Sequence, residues 1–268
     1  MASRYIANTV AEQREMLRVI GASSIDELLV KIPAKARLSR PLNLAPALAE
    51  TELIRHMKAL ADLNADADSH VCFMGAGAYD HYVPSPINHL ISRGEFFTAY
   101  TPYQPEASQG TLRTIYEYQT MIAELTGMDV ANASIYDGAS SLAEAALMAH
   151  AVTERSEVVL SRGVHPFYRR VTASYCEGPG IKLRDAAAPE GVTELAAAKK
   201  LVGPKTAALA VQTPNFWGCL EDIAAAAEIA HAAGALLIVV ADPVNLGVLE
   251  APGKLGADIV IGEGQGLG

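Results

Sequence analysis

The chain has 268 residues, half of them hydrophobic, enough to bury the core of one large domain or of one and a half. Its 21 basic residues face 30 acidic ones, a formal charge of −9 with no block of Lys and Arg. Binding a phosphate backbone needs concentrated positive charge, so no nucleic-acid partner is expected. No stretch approaches the roughly 20 apolar residues of a membrane span, and no membrane association is expected. The opening MASRYIANTVAEQREM lacks the apolar centre of a secretory signal. Cys72, Cys176 and Cys219 stand far apart with no CxxC spacing, so they read as reduced thiols of a cytoplasmic protein, with neither zinc nor disulfides implied.

The first sixty or so residues read as helical. SSIDELLVKIP offers Ser23 or Ser24 as N-cap, Asp26 and Glu27 in the first turn and Pro33 just past the end. TELIRHMKALADLN places Leu53, Ile54, Met57 and Leu60 on one face. A helical segment over 1–74 is therefore expected to precede a larger domain over 75–268. Residues 75–109 open that domain with a stretch rich in Gly, Pro and aromatic side chains and poor in periodicity. A long irregular segment in a compact domain is usually functional.

From Gln109 the chain alternates. TLRTIYEYQTMIAELTG reads as a helix closed by Gly127, and SSLAEAALMAHAVT as an Ala-rich helix. Strands follow in SEVVLS, GIKLRD, TAALAVQTP, ALLIVVAD and DIVIG. Helices over HPFYRRVTASYC, VTELAAAKKLVG and EDIAAAAEIAHAAG separate the first four. Short apolar strands between amphipathic helices predict an α/β fold, a mostly parallel sheet sandwiched by helices. The alternation stops at Gly268 on a strand end, which reads as the end of a fragment.

The closing GEGQGLG invites a phosphate-loop reading. A dinucleotide fingerprint needs G-x-G-x-x-G between a strand and a helix, whereas Gly262, Gly264, Gly266 and Gly268 are spaced by two and no Walker lysine follows. A nucleotide-binding oxidoreductase is thereby disfavoured. Asp242 ends a buried strand and His165 follows an earlier one, both at the C-terminal edge where ligands of open α/β sheets sit. Taken singly they read as a turn-capping Asp and a helix-starting His. As a pair on neighbouring strand ends they read as a clamp, an imidazole over a cofactor ring and a carboxylate under its nitrogen. Pyridoxal phosphate needs such a clamp, and also a lysine amine for its Schiff base. After Asp242 the chain offers only Lys254, in a turn before the last strand. Where the lysine should stand are Gly262, Glu263, Gly264 and Gln265. His81 and His89 flank YVPSPIN, with no third ligand at metal-site spacing; no metal is expected there.

YTPYQPEASQG (Tyr100–Gly110), within a longer run to YDGASSLAEAALMA, resembles the glycine decarboxylase P-protein of the glycine cleavage system. DVANAS, VHPFYRRV and DIVIGEGQGLG extend the resemblance over nearly the whole chain. Within that family the chain is similar to subunit 1, the α subunit of the two-chain form, which usually reads G-E-G-Q-P-L-G where this chain has Gly266 in place of Pro. The resemblance implies the large domain of the pyridoxal-phosphate-dependent transferase fold type I, like aspartate aminotransferase, with the smaller C-terminal domain absent from this chain. It implies that glycine is decarboxylated on pyridoxal phosphate bound covalently by subunit 2, the lysine-bearing partner, and that the aminomethyl group passes to the lipoyl H-protein. It also implies an α2β2 heterotetramer, with no catalytic residue of its own in this chain. Tyr100, Thr101, Tyr103, Gln104 and Glu106 are the candidate substrate-binding residues, reaching across a subunit interface, or else packing there without touching substrate. His165 and Asp242 are the candidate cofactor-binding residues, or else relics bonded locally. A silent scaffold or regulatory paralogue of the same fold is the alternative function.

Overall fold

The computed structural model describes residues 7–75, 77 and 79–268. The start of the N-terminal stretch read for a signal, and two positions of the irregular segment, lie outside the described residues. The chain divides into two units, Met1–Val71 and Cys72–Gly268.

In the first unit, α1 (Val10–Ile20) starts with a capping box. Thr9 Oγ1 accepts from Glu12 N–H, and the Glu12 carboxylate takes the Thr9 N–H at 2.6 Å. Ser24 caps α2 (Ile25–Leu28), which lasts one turn instead of running to Pro33 as the pattern predicts. Beyond Leu28 the chain passes into isolated turns such as Ile32 N–H to Leu29 C=O, and Pro33 keeps Ile32, the residue before it, out of the α region. α3 (Glu50–Ala61) carries the predicted Leu53–Leu60 face. None of the described residues of this unit is buried.

In the second unit, two short helices, α4 (Pro86–Ile91) and α5 (Gly94–Phe97), interrupt an otherwise irregular stretch. α6 (Gln109–Thr126) ends at Gly127 in the left-handed conformation. α7 (Gly138–Thr153) is capped by Asp137, whose carboxylate accepts from Ser140 N–H at 2.7 Å. The predicted alternation follows as β1 (Glu157–Ser161), α8 (Pro166–Glu177), β2 (Lys182–Ala186), α9 (Leu195–Leu201), β3 (Thr206–Thr213), α10 (Ile223–Ala232), β4 (Leu236–Ala241) and β5 (Ile259–Ile261). The five strands form one sheet in the order β2-β1-β3-β4-β5, every pair parallel.

The period of two along each strand divides the core. Val158, Leu160, Ala208, Ala210, Ile238 and Val240 face α7 and α8. Val159, Leu209, Val211, Leu237 and Val239 face α9 and α10. Where β3 offers alanines to the first layer, α7 answers with Ala145, Ala146 and Ala149, so methyl groups meet methyl groups and the helix lies close to the sheet. Both faces are covered, which is why the strands read as continuous apolar runs.

Candidate functional site

Because all strands are parallel, their C-terminal ends share one edge, and the loops leaving Ser161, Ala186, Thr213, Ala241 and Ile261 gather there with the N-terminus of α7. A buried polar network ties three of these loops together. Asn215, 2% exposed, donates from Nδ2 to Gly191 C=O at 2.6 Å and to Glu221 Oε1 at 2.8 Å. Its Oδ1 accepts from the N–H groups of Trp217 and Cys219. The Glu221 carboxylate takes the Thr193 N–H with both oxygens, at 3.2 and 3.0 Å. Thr193 and Ser161 share a hydroxyl hydrogen bond of 2.6 Å, and Ser161 Oγ accepts from Gly163 N–H. None of these residues stands out in the sequence: Asn, Ser and Thr in loops are too common to signal a network without the fold.

His165 sits beside that network as the N-cap of α8, its Nδ1 accepting from Phe167 N–H at 3.1 Å. That bond puts the proton of the neutral ring on Nε2. Its own N–H donates to Gln212 Oε1 at 2.8 Å. The ring packs against Tyr168 and Phe167 with centroids 5.2 and 5.4 Å away, and edge-on against Phe216 at 5.0 Å. The backbone at Gly77 also lies against it, since a Cβ there would stand 3.0 Å from Nε2.

Asp242 directly follows β4 and accepts the Val244 N–H at 2.9 Å, the turn-capping role expected of it singly. The two residues are not on neighbouring strand ends, contrary to the sequence expectation. β3 lies between β1 and β4 and places Gln212 there, so the strand ends they follow are roughly 10 Å apart across the sheet.

The last loop is the tightest. Gly262 allows close passage, because a Cβ would run into the Ala241 carbonyl oxygen. Glu263 is thereby delivered to the N-terminus of α7, where Oε1 accepts from Gly138 N–H at 2.7 Å and from the Tyr168 hydroxyl at 2.9 Å. Gly138 has to be glycine for the same reason: a Cβ would meet the Tyr168 hydroxyl, and Glu263 Oε1 at 2.8 Å. Burial first, then the hydrogen bond to Glu263, then the negative charges of Glu263 and Asp137 push the Tyr168 phenol well above its ordinary value.

Lys254 lies in the 3-10 turn Pro252–Leu255, before β5 and so toward the opposite edge, paired with Glu250 at 3.1 Å. The other lysines of this unit are equally remote. Lys182 opens β2, Lys205 precedes β3, and Lys199 and Lys200 lie in the last turn of α9. Tyr100, Thr101, Tyr103, Gln104 and Glu106 are all exposed in a turn held by Tyr103 N–H to Thr101 C=O and Ala107 N–H to Gln104 C=O. A cavity of about 370 Å³ lined by Glu124, Leu246, Val248 and Lys254 shares no residue with the loop network. Among the described residues no group of three or more His, Cys, Asp or Glu could hold a metal ion, and no helix is long and apolar enough to cross a membrane.

The sequence model of the glycine cleavage system P-protein matches residues 3–268. The chain belongs to the glycine cleavage system P-protein family. It is 54% identical over 265 residues to a probable glycine dehydrogenase (decarboxylating) subunit 1 of Desulforamulus reducens, covering 99% of this chain and 59% of that one. A crystal structure of glycine decarboxylase (P-protein) in inhibitor-bound form superposes with a TM-score of 0.87 at 48% identity, over 99% of this chain and 59% of that chain. A sphingosine-1-phosphate lyase of Burkholderia pseudomallei aligns over 78% of this chain and 51% of that chain, with a TM-score of 0.53 at 15% identity, and shows the fold alone. The chain thus spans about three-fifths of the length of its curated relatives. Its fold is that of the pyridoxal-phosphate-dependent enzymes of fold type I.

The residues at the sheet edge do not fit that cofactor. A Schiff base needs a lysine at this edge, and the lysines of the unit lie elsewhere. The N–H groups at the start of α7, which would suit a phosphate, hold the carboxylates of Glu263 and Asp137.

Proposed function

We propose that this chain belongs to the non-lysine subunit of a two-chain P-protein, in which subunit 2 carries pyridoxal phosphate on its lysine. The complex decarboxylates glycine and passes the aminomethyl group to the lipoyl H-protein, in the cytoplasm and as an α2β2 heterotetramer. The observation that carries this reading is the position after β5. The chain places Glu263 there, bonded to Gly138 and Tyr168, and keeps the lysines of that unit away from the C-terminal edge. Identity of 54% to a relative named subunit 1 supports the same assignment.

In this reading the exposed Tyr100, Thr101, Tyr103, Gln104 and Glu106 extend into the partner's site, where phenol hydroxyls and an amide orient the glycine carboxylate without adding positive charge. His165 and Asp242 are occupied within their own loops and serve the fold. Residues 75–268 act as the enzyme-like domain and 1–74 as a helical extension to it.

The test is to incubate the isolated chain with pyridoxal phosphate, reduce with borohydride and map pyridoxyl-lysine by mass spectrometry. No stoichiometric label is expected on any lysine of this chain. The same treatment of a mixture with the lysine-bearing subunit labels that subunit alone, and a portion left unreduced and supplied with lipoyl H-protein yields CO2 from glycine. Single-site labelling of this chain, with glycine decarboxylation in the absence of a partner, overturns the proposal.

A further inference from the structure

We propose that Glu263 is a built-in anionic occupant of the seat at the N-terminus of α7, so that this chain closes its own cofactor site to phosphate esters with a carboxylate. The inference deepens the reading above and rests on it for the identity of the excluded ligand.

The N-terminus of a 16-residue helix presents unpaired N–H groups and the positive end of its dipole. Such a seat at the C-terminal edge of a parallel sheet is where an α/β fold of this kind holds an anion. Here the anion comes from the chain itself. Glu263 Oε1 takes the Gly138 N–H at 2.7 Å and the Tyr168 hydroxyl at 2.9 Å, while Asp137 takes the Ser140 N–H at 2.7 Å.

Two independent features show that the seat is built around its occupant. Gly138 has no side chain where a Cβ would meet Glu263 Oε1 at 2.8 Å, and Gly262 lets the chain pass under the Ala241 carbonyl so that the next residue reaches α7. A phosphate dianion entering this space would find the Gly138 and Ser140 N–H groups committed and two carboxylates beside it. The face of His165 that carries Nε2 is also approached by the backbone at Gly77. The carboxylates and the Gly138 and Ser140 donors are thus satisfied by one another, and exclusion follows from electrostatics as much as from volume.

The experiment uses pyridoxine 5′-phosphate and inorganic phosphate as probes, with the full chain in equilibrium dialysis and calorimetry. Pyridoxine phosphate has the ring and phosphate but no aldehyde, so its binding does not depend on any lysine. The unaltered chain is expected to show no saturable binding of either probe at millimolar concentration. Glu263→Ala should bind the ester at least about tenfold more tightly, with competition by inorganic phosphate, because a charge-assisted pair of N–H and O–H donors is released. Glu263→Gln keeps the shape and a neutral acceptor, and should gain less.

If Glu263→Ala does not fold, Glu263→Gln decides: exchange of the Gly138 amide proton should accelerate and ester binding should still rise above that of the unaltered chain. Equal binding by the unaltered chain and the variants, or no gain in any folded variant, overturns the inference. That outcome leaves the placement of the lysine untouched. Labelling of a lysine in this chain would sink the functional reading without bearing on Glu263.

Discussion

Polar side chains are used in opposite ways in two parts of the second unit. At the sheet edge Asn215 is 2% exposed and makes four hydrogen bonds, three within its own loop and one to the loop after β2, and Glu221, Thr193 and Ser161 extend the same lattice. Ahead of α6, Tyr100 and Tyr103 are 83% and 78% exposed and their turn is closed by backbone bonds alone. The first region is a finished structure whose polar atoms answer one another. The second presents hydroxyl, amide and carboxylate groups outward, which the proposed function assigns to recognition by the partner subunit. The non-lysine subunit proposed above would look like this, with the cofactor edge sealed and the contacts to a partner moved to the rim.

The strongest challenge to that contrast is Asn215→Ala. It strands the Trp217 and Cys219 N–H groups and the Gly191 carbonyl in a part-buried place, while Glu221 Oε1 keeps the Thr193 N–H. Unsatisfied buried groups cost about 1–3 kcal/mol each, partly relieved by entering water, so a loss of about 3 kcal/mol or more in urea unfolding is expected. A loss under about 1 kcal/mol would show that the edge is not the interlocked region described.

Tyr103→Phe sharpens the comparison from the other side. The exposed hydroxyl contributes nothing to the fold, so the unfolding midpoint should stay put. In the assembled complex, glycine turnover should fall by a factor equivalent to about 1–3 kcal/mol, the cost of leaving a positioned polar partner unpaired. Unchanged kinetics for the Phe variants at both Tyr100 and Tyr103 would assign the segment to interface packing.

The two regions also differ in how legible they are in the sequence. The alternation from Gln109 to Ile261 is readable because strands buried on both faces are continuous apolar runs and the helices between them are Ala-rich. Gly127 announces the end of α6, and the displaced Lys254 is visible from its place before the last strand. The loop lattice is not readable, because it joins residues from Ser161 to Glu221 through strand order, and parallel strand order is not written in local periodicity. For the same reason the sequence sets Asp242 beside His165, whereas β3 separates their strands. The helix expected from Ser24 to Pro33 is over-long because the proline marks only where a helix must have ended, and α2 stops at Leu28. Glu263 is legible as a substitute for lysine, but its bond to Gly138, 125 positions earlier, needs the fold.

A smaller effect is expected at Asp137, the cap of α7. Asp137→Ala should cost about 1 kcal/mol and Asp137→Asn almost nothing, since both Asp and Asn oxygens accept from the Ser140 N–H. The Ser140 backbone N–H, then its hydroxyl, hold the Asp137 carboxyl below the usual range. A depressed folded pKa gives stability that is present above the unfolded value of about 3.9 and fades as pH falls below it. The Asp137→Ala difference, measured by urea unfolding, should therefore shrink between about pH 4 and about pH 2. A constant difference would mean that the cap works by shape and not by charge.

The smallest and most discriminating effect concerns Tyr168, where the sealed edge holds an ionisable hydroxyl against a carboxylate. At about pH 8, Tyr168→Phe should cost no more than about 1 kcal/mol, the net worth of one half-buried hydrogen bond. The phenol's folded pKa is raised by burial and then by Glu263, so the linked stability is fully present below the unfolded value of about 10 and is lost as pH rises through it toward the folded value. In the Tyr168→Phe variant that titration is gone. Urea unfolding of both proteins at intervals from about pH 8 to about pH 11 should show the two stabilities converging at the alkaline end, from a difference set by the tyrosine hydroxyl. Repeating the pair in a Glu263→Gln background should flatten the convergence, because the acceptor is then neutral and ionisation of the phenol meets one fewer negative charge. Parallel stability curves in both backgrounds would separate Tyr168 from Glu263 and leave the edge sealed by packing alone.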